Sequence, residues 1–530
     1  MKRMGARQSS HTFAEVEGPK IQRSQFNLSH GYKTAFDSGY LVPFFVDLAY
    51  PGDTFNVKAN CFARLSTPIV PFMDNVYLDT FFFAVPMRLV WTNFKKFMGE
   101  QANPGDSTSY TIPTAQSPAS GYTVGSLQDY MGIPTVGQVT ATKKLTHNNL
   151  PMRAYNLIYN EWFRDENMQN SVVVDVDDGT DTYSDYVLLK RGKRKDYFTG
   201  ALTSPQKATA VSLPIGTSAN ILLEAGNTDS TYIRRSSDQV LLGGTLQGDA
   251  VTGVFETSTP VGAQYDPNGT LYADLSTATS ATINQFRQAI QLQGWYERDA
   301  RSGTRYTEIV QGHFGVVSPD ARLQRPEYIG GTSTPIKINP VMQTSVTAAT
   351  PQGNLAAYGV VGTPSHGFVK SFTEHSYVIG IVSVRAELSY QQGLNRMWTD
   401  STRADLYWPA FANLGEQSVL NREIYATDDT AAADTNVFGY QERYGHLKYK
   451  QSMITGIMRS TAASTVDVWH LAQKFTSLPT LGDTFIKEAP PISRVVAVNT
   501  EPQFIFDAWL DFKAVRPMPM YGTPATLSRF

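Results

Sequence analysis

Lys190, Arg191, Lys193, Arg194 and Lys195 surround Gly192 in the densest run of charge in the chain, and Tyr197 and Phe198 follow directly. Such a run can grip phosphates while its rings stack on bases. It can equally be a solvated loop or a salt-bridging contact between subunits. Asp175, Asp177, Asp178 and Asp181 cluster around Gly179, a carboxylate pattern that suits a hard cation. Their spacing lacks the sixth-position glycine and distal glutamate of an EF-hand, and an acidic hairpin turn of the Asp-Gly kind is the plainer reading. His313 beside Phe314 and His366 beside Gly367 could be general bases, but sequence supplies no partner carboxylate for either, and a hydrogen-bonded structural histidine is the favoured reading of each. Ser218 and Ser333 sit in near misses of a nucleophile elbow and read as loop serines. His-Glu-x-x-His, Cys-x-x-Cys and Walker motifs do not occur. No catalytic, cofactor-binding or metal-binding residue is assigned, and no cofactor is expected.

Composition narrows the function further. The chain has 530 residues and a formal charge of −2, so any nucleic-acid contact must be local rather than spread over a basic surface. With 27 Tyr and 28 Phe it can fill a core and still offer flat rings to other chains. The single cysteine, Cys61, rules out an intrachain disulfide, reads as an inert core residue and fits a reducing compartment. The longest apolar run, Tyr377 to Val384, is interrupted by Gly380 and Ser383 and stops at Arg385, too short for a bilayer. The basic start, Met1 to Arg7, is followed by no apolar stretch of a signal peptide. A soluble chain made in a cytoplasm, without membrane insertion, is expected.

The elements that must carry these groups are strands. Phe55, Val57, Ala59, Cys61, Ala63 and Leu65 alternate with Asn56, Lys58, Asn60 and Arg64, and Phe504, Phe506, Ala508, Leu510 and Phe512 repeat the pattern near the other end. Period-2 writing means a strand with one dry face. Its presence at both ends predicts one sandwich closed by its first and last segments, with the rest inserted. Residues 1–38 read as an arm and 39–530 as a single domain. The runs Tyr40–Asp47, Thr54–Leu65 and Val76–Val85 are spaced so closely that they are expected to pair as antiparallel neighbours. Met152, Tyr155, Tyr159 and Trp162 predict one inserted helix starting at Pro151, and Ile283, Phe286 and Ile290 a second. Tyr377 to Tyr390 reads as a strand passing from a two-sided interior to a one-sided surface. Segment 208–281 carries only Tyr232, Phe255, Tyr265 and Tyr272 as aromatics and is expected outside the core, as a β-rich projection or partly mobile loop.

Several long blocks are familiar as sequence: Tyr50 to Phe55, Thr67 to Phe83, Arg88 to Glu100, Leu150 to Asn167, the basic run through Phe198, Gly303 to Tyr306 and His313 to Tyr328. In this order they resemble the major capsid protein of microviruses, most closely its gokushovirus-like branch, and they span most of the chain. The poorest match is 208–281. The resemblance implies a mainly β fold, an eight-stranded antiparallel viral jelly-roll β-sandwich with large loop and helix insertions. It implies a homo-oligomer: a T=1 icosahedral shell around the single-stranded DNA of a bacteriophage, assembled in the host bacterial cytoplasm and ending in the virion. The implied partners are the packaged DNA, a small internal DNA-binding protein, a pilot protein and a bacterial surface receptor. Segment 208–281 takes the place of the family's variable threefold protrusion, a host-attachment element. For inward-facing charge the residues offer Lys2, Arg3 and Arg7 of the arm and the run 190–195, the latter equally open to an inter-subunit role. Two other classes stand beside the shell: a secreted-type β-sandwich carbohydrate hydrolase, whose carboxylate pair would meet only in three dimensions, and a dedicated single-stranded DNA binder.

Overall fold

A computed structural model describes residues 22–212 and 282–522, apart from 348 and 429–431, together with short strands between Asn220 and Asp274. The chain divides into two compact units, Gln206–Arg298 and the remainder. In the larger unit, eleven strands build two antiparallel sheets: β1 (Ser24–Asn27), β2 (His30–Phe36), β3 (Val42–Ala49), β4 (Thr54–Leu65), β5 (Val76–Pro86), β6 (Glu327–Pro335), β7 (Lys337–Met342), β8 (Leu355–Gly362), β9 (His366–Ser371), β10 (Ser376–Ala386) and β11 (Phe504–Arg516). The seven-stranded sheet runs β1-β11-β4-β8-β7, with β2 also on β11 and β9 also on β4, and the four-stranded sheet runs β6-β5-β10-β3.

The dry face written into β4 is buried, with Phe55, Val57, Ala59, Cys61, Ala63 and Leu65 at most 3% exposed. Burial pushes the Cys61 thiol up to about 12, which makes it a packing residue and not a nucleophile. The two ends of the chain meet here: β11 pairs with β4 from Phe504 opposite Leu65 to Val515 opposite Thr54. The sheets lie face to face over one core, and rings cross between them, Phe44 to Phe506 at 5.8 Å, Phe45 to Phe512 at 5.5 Å and Phe82 to Phe368 at 5.3 Å between centroids.

Two expectations are corrected, and in a third, the passage of β10 from a two-sided interior to a more open surface, the change comes at Arg385. The runs carrying β3, β4 and β5 do not pair with one another; they alternate between sheets. Both edges of β4 are taken by later strands, β11 on one side and β8 with β9 on the other, so its sequence neighbours are carried across the core instead. The arm does not extend to residue 38, because β1 and β2 hydrogen-bond to β11; residues 1–21, with Lys2, Arg3 and Arg7, lie outside the described residues. In β10 both faces stay covered as far as Val384, and Ser383 is buried although it is polar. Val378, Val382 and Val384 belong to the inter-sheet core, while Tyr377, Ile379 and Ile381 enter a second core on the far side of the four-stranded sheet.

Helix α1 (Leu150–Ile158) caps that second core. Pro151 lies in its first turn, where a missing N–H costs nothing, and Met152 and Tyr155 point inward, followed by buried Tyr159 in a π turn. Helix α2 (Ile283–Ser302) forms as its spacing predicts, but Ile283, Phe286 and Ile290 remain exposed. In the smaller unit, Asn220–Leu223 pairs with Leu271–Asp274, Ile233–Arg235 with Ala263–Tyr265, and Gln247–Gly248 with Phe255–Glu256, a nested antiparallel series.

Because Phe512 meets both Phe45 and Phe55 in the core, Phe512→Ala is expected to destabilise by about 3–5 kcal/mol. Ile505→Ala on the opposite, exposed face of the same strand should stay within about 0.5 kcal/mol. Chemical denaturation of the two variants measures the contrast; equal losses would mean that the strand does not have one dry face.

Candidate functional site

The basic run is laid down as a strap between two other segments. Leu41 N–H donates to Leu189 O at 2.9 Å and Arg191 N–H to Gly39 O at 2.9 Å. On the other side Lys193 N–H donates to Ile486 O at 2.7 Å and Glu488 N–H to Arg191 O at 2.9 Å. The Tyr155 hydroxyl of α1 donates to Leu41 O at 2.8 Å and accepts from Leu189 N–H, which locks the strap's entry. Gly39 is required at this seam: its φ is +82°, and a Cβ there would lie 2.2 Å from Glu488 O.

With the backbone fixed, the five cations divide. Arg191 Nη1 lies 2.6 Å from Asp79 Oδ2, and Arg385 Nε reaches the same oxygen at 2.9 Å, so one carboxylate of β5 sits between two guanidinium groups. Lys193 is buried, donates to Gln473 Oε1 at 2.8 Å and lies 4.4 Å from the Phe485 ring centre. Burial lowers its pKa to about 8, against the opposing pull of Glu488 and Asp196. Glu488 is itself buried, which raises its pKa against backbone hydrogen bonding from Ala386 and the attraction of Arg191, Lys193 and Arg385. Lys190 packs 4.8 Å from the Tyr40 ring centre. Arg194 faces solvent with Glu387 at 3.3 Å, and Lys195, also mostly exposed, pairs with Asp165. Two of the five are therefore held inside the chain, and three remain at or near its surface. Tyr197 and Phe198 are buried, Tyr197 donating to Glu423 Oε2 at 2.9 Å, so neither ring is open to a base.

The aspartate cluster has a different fate from a hairpin turn. Residues 175–181 form no hairpin; Asp181 accepts from Arg153 Nε at 2.7 Å, from Asn149 at 2.5 Å and from the Tyr186 hydroxyl at 3.1 Å, and the Arg153 side chain is fully buried. Burial pushes the Asp181 carboxyl up, but the hydrogen bonds from Arg153 and Asn149 outweigh it and hold the carboxyl below its ordinary value. Asp178 accepts from the Trp91 indole at 2.5 Å and Asn93 at 2.7 Å. Asp181 pins the loop to α1 and Asp178 pins it to Trp91 and Asn93, and losing one partner of a pair as deep as Arg153 and Asp181 leaves the other charge uncompensated.

His313 Nε2 lies 2.7 Å from Asp299 Oδ1, and His366 lies 2.8 Å from the Thr80 hydroxyl and 2.9 Å from Pro364 O. His366 is hydrogen-bonded without a carboxylate, as the sequence suggests, whereas His313 gains from Asp299 the partner carboxylate that the sequence did not supply. Ser333 lies in strand β6 and not in a loop, and Ser218 lies outside the described residues. Sequence does not single out Asp79, Arg385, Glu488 or Arg153 as partners. The available signal was a lone acid inside the apolar run Val76–Val85 and a lone arginine inside the apolar face of α1.

The depressed lysine makes stability depend on pH in a defined sense. Below about pH 8 folding confines a charged amine that burial disfavours. Between about 8 and the ordinary 10.5 the unfolded chain binds more protons than the folded one, so stability rises with pH. Relative to Lys193→Met, the wild-type protein is therefore expected to gain stability between pH 8 and 10, at up to about 1.4 kcal/mol per pH unit. Thermal unfolding across that range reads the slope, and a flat difference would show that the amine is not desolvated.

Among the described residues no helix is long and apolar enough to cross a membrane. A family model described as Capsid protein (F protein) matches residues 14–526. The capsid protein VP1 of Bdellovibrio phage phiMH2K is 48% identical over all of both chains. Those of Chlamydia phage 1 and Spiroplasma virus 4 are 42% and 35% identical, each over 97% of both chains. With similarity that runs from one end of the chain to the other, the protein is a structural component of the virion and not a hydrolase or other enzyme: it belongs to the phage capsid protein (F protein) family.

Proposed function

We propose that the eleven strands of the two sheets are an eight-stranded antiparallel jelly-roll core with extra strands added to it and with large loop and helix insertions, and that copies of the chain close a T=1 icosahedral shell around a single-stranded DNA bacteriophage genome. Alternation of β2, β3, β4 and β5, and again of β9, β10 and β11, between two facing sheets supports the jelly-roll reading. The observation that carries the shell is apolar surface that the chain does not cover itself. In the stretch 397–414 alone, Met397, Trp398, Leu406, Tyr407 and Leu414 are exposed, Trp398 by 71%. A monomer seldom leaves so many large rings and aliphatic chains in water, whereas a closed shell needs several different adhesive surfaces per subunit.

Assembly in the host cytoplasm suits a chain without disulfides. For inward-facing charge we propose the basic amino terminus, Lys2, Arg3 and Arg7, with Lys190, Arg194 and Lys195 of the strap; Arg191 and Lys193 serve the fold. A small internal DNA-binding protein and a pilot protein are the proposed inner partners. Segment 208–281 is the proposed attachment projection toward a bacterial receptor, a reading supported by its falling in a compact unit distinct from the rest.

Purified protein is expected to sediment as a shell-sized particle, and a stable monomer at micromolar concentration across a range of salt would defeat the proposal. Replacing 208–281 by a short linker should leave soluble, assembled protein that adsorbs poorly to its host; loss of soluble protein would place that segment in the core.

A further inference from the structure

On the second-core side of the four-stranded sheet, Phe81 of β5 packs on Phe163 with 5.2 Å between ring centres. Phe163 ends the π turn that follows α1, and the strap runs against this turn: a Cβ on Gly192 would lie 3.4 Å from Phe163 O. Together with the start of helix α3 (Tyr306–Phe314), turn and strap border a cleft of about 580 Å³. Six cationic side chains and three carboxylates line it, all from the larger unit. The carboxylates are already engaged. Asp165 pairs with Lys195, and Glu166 and Glu308 both pair with Arg305.

Arg164 and Arg191 flank that contact in sequence, and both line the cleft. Each uses one nitrogen on the protein: Arg191 Nη1 on Asp79 Oδ2 at 2.6 Å, Arg164 Nη1 on Gln169 O at 2.9 Å. Among the described residues, Nε and Nη2 of both side chains have no protein acceptor, and Arg164 makes no ion pair. Ser302 Oγ and Arg305 Nε, on the same walls, are buried and equally unpartnered. The Arg305 guanidinium is held in place, its Nη2 donating to Asn160 O at 2.6 Å and to Arg164 O at 2.9 Å. Donors from three separate segments thus converge on one cleft without an acceptor, an arrangement that is costly unless a ligand supplies one.

The Nε–Nη2 edge of a guanidinium is the fork that grips two oxygens of one anion. Two such edges on one ligand call for more than two acceptor oxygens. A carboxylate has two, and a phosphodiester keeps only two beside its bridging bonds, so neither serves both arginines; a terminal phosphate offers at least three. The cleft has the size of a small-molecule site, and the Phe81 and Phe163 rings give an apolar wall to the body of an organic ligand. We propose that this cleft, with Arg164 and Arg191 as its two forks and Ser302 and Arg305 beside them, binds a terminal phosphate group, carried by inorganic phosphate or by a small phosphate monoester. The site is separate from the assembly proposed above, and its occupant is a small molecule and not a stretch of nucleic-acid backbone.

Equilibrium dialysis of the purified full-length protein against radiolabelled inorganic phosphate, at fixed ionic strength, is expected to find one saturable site per chain; no saturable binding would overturn the proposal. Competitors separate the sources. Displacement of the label by glucose 6-phosphate at lower concentration than by phosphate assigns an organic monoester, and the reverse order assigns inorganic phosphate, while dimethyl phosphate competing as well as either would overturn the proposal. Arg164→Met is expected to weaken phosphate binding at least about tenfold, and unchanged binding would overturn it. Should that variant not fold, thermal unfolding of the wild-type protein decides: a midpoint that rises with phosphate and saturates supports the site, and a rise that stays linear, the general effect of an excluded salt, overturns it.

Discussion

The pairing of β4 with β11 is the constraint on which the remaining structure depends. Two segments separated by most of the chain lie side by side, each with one apolar row pressed against the opposite sheet. Closing so long a loop costs entropy that grows only slowly with its length, so the excursion between the two strands can be large once the pair is secured. What fixes the pair is burial of Phe55, Val57, Phe504, Phe506 and Phe512, and a slip of one residue would turn all of these to water. Everything inserted between the two strands must leave from this body and return to it.

Charge does the second part of the work, at the seams. Asp79 between Arg191 and Arg385, Glu488 beneath the strap, and Asp181 against Arg153 each join an inserted segment to a strand, a helix or another loop. Taking ions out of water offsets much of their mutual attraction, so such pairs add little net stability. Their consequence is directional: a segment docked elsewhere would bury a carboxylate without its partner. The four-stranded sheet, the strap and α1 are held together this way, while among the described residues one face of the seven-stranded sheet stays exposed.

That bareness suits a shell subunit. A protein that ends as one wall of a container must be sticky at its rim and different on its two faces, because one meets the contents and the other meets the surroundings. Here one sheet is overlaid by inserted chain, and the other leaves Lys58, Asn60, Phe62 and Arg64 of β4 and Ile505, Asp507, Trp509 and Lys513 of β11 exposed. The same alternation that drives residues 55, 57, 59, 61, 63 and 65 into the core presents 58, 60, 62 and 64 as a row, so a single strand supplies both stability and surface.

Sequence by itself determined the strands, the dry face of β4 and β11, the inert setting of Cys61 and the start of α1, because burial on one side of a strand or helix writes a local period. It also carried the family, through long blocks kept in order. It did not determine which strands share a sheet: a link between paired strands and a link across the core are alike in length and composition, so β3, β4 and β5 read as neighbours although they alternate. Nor did it determine the fate of Arg191, Lys193 and Asp181. Each looked available for phosphate or metal, and only the folded chain brought Asp79, Glu488 and Arg153 to them, since charges compensate through space and the partners lie far away along the chain.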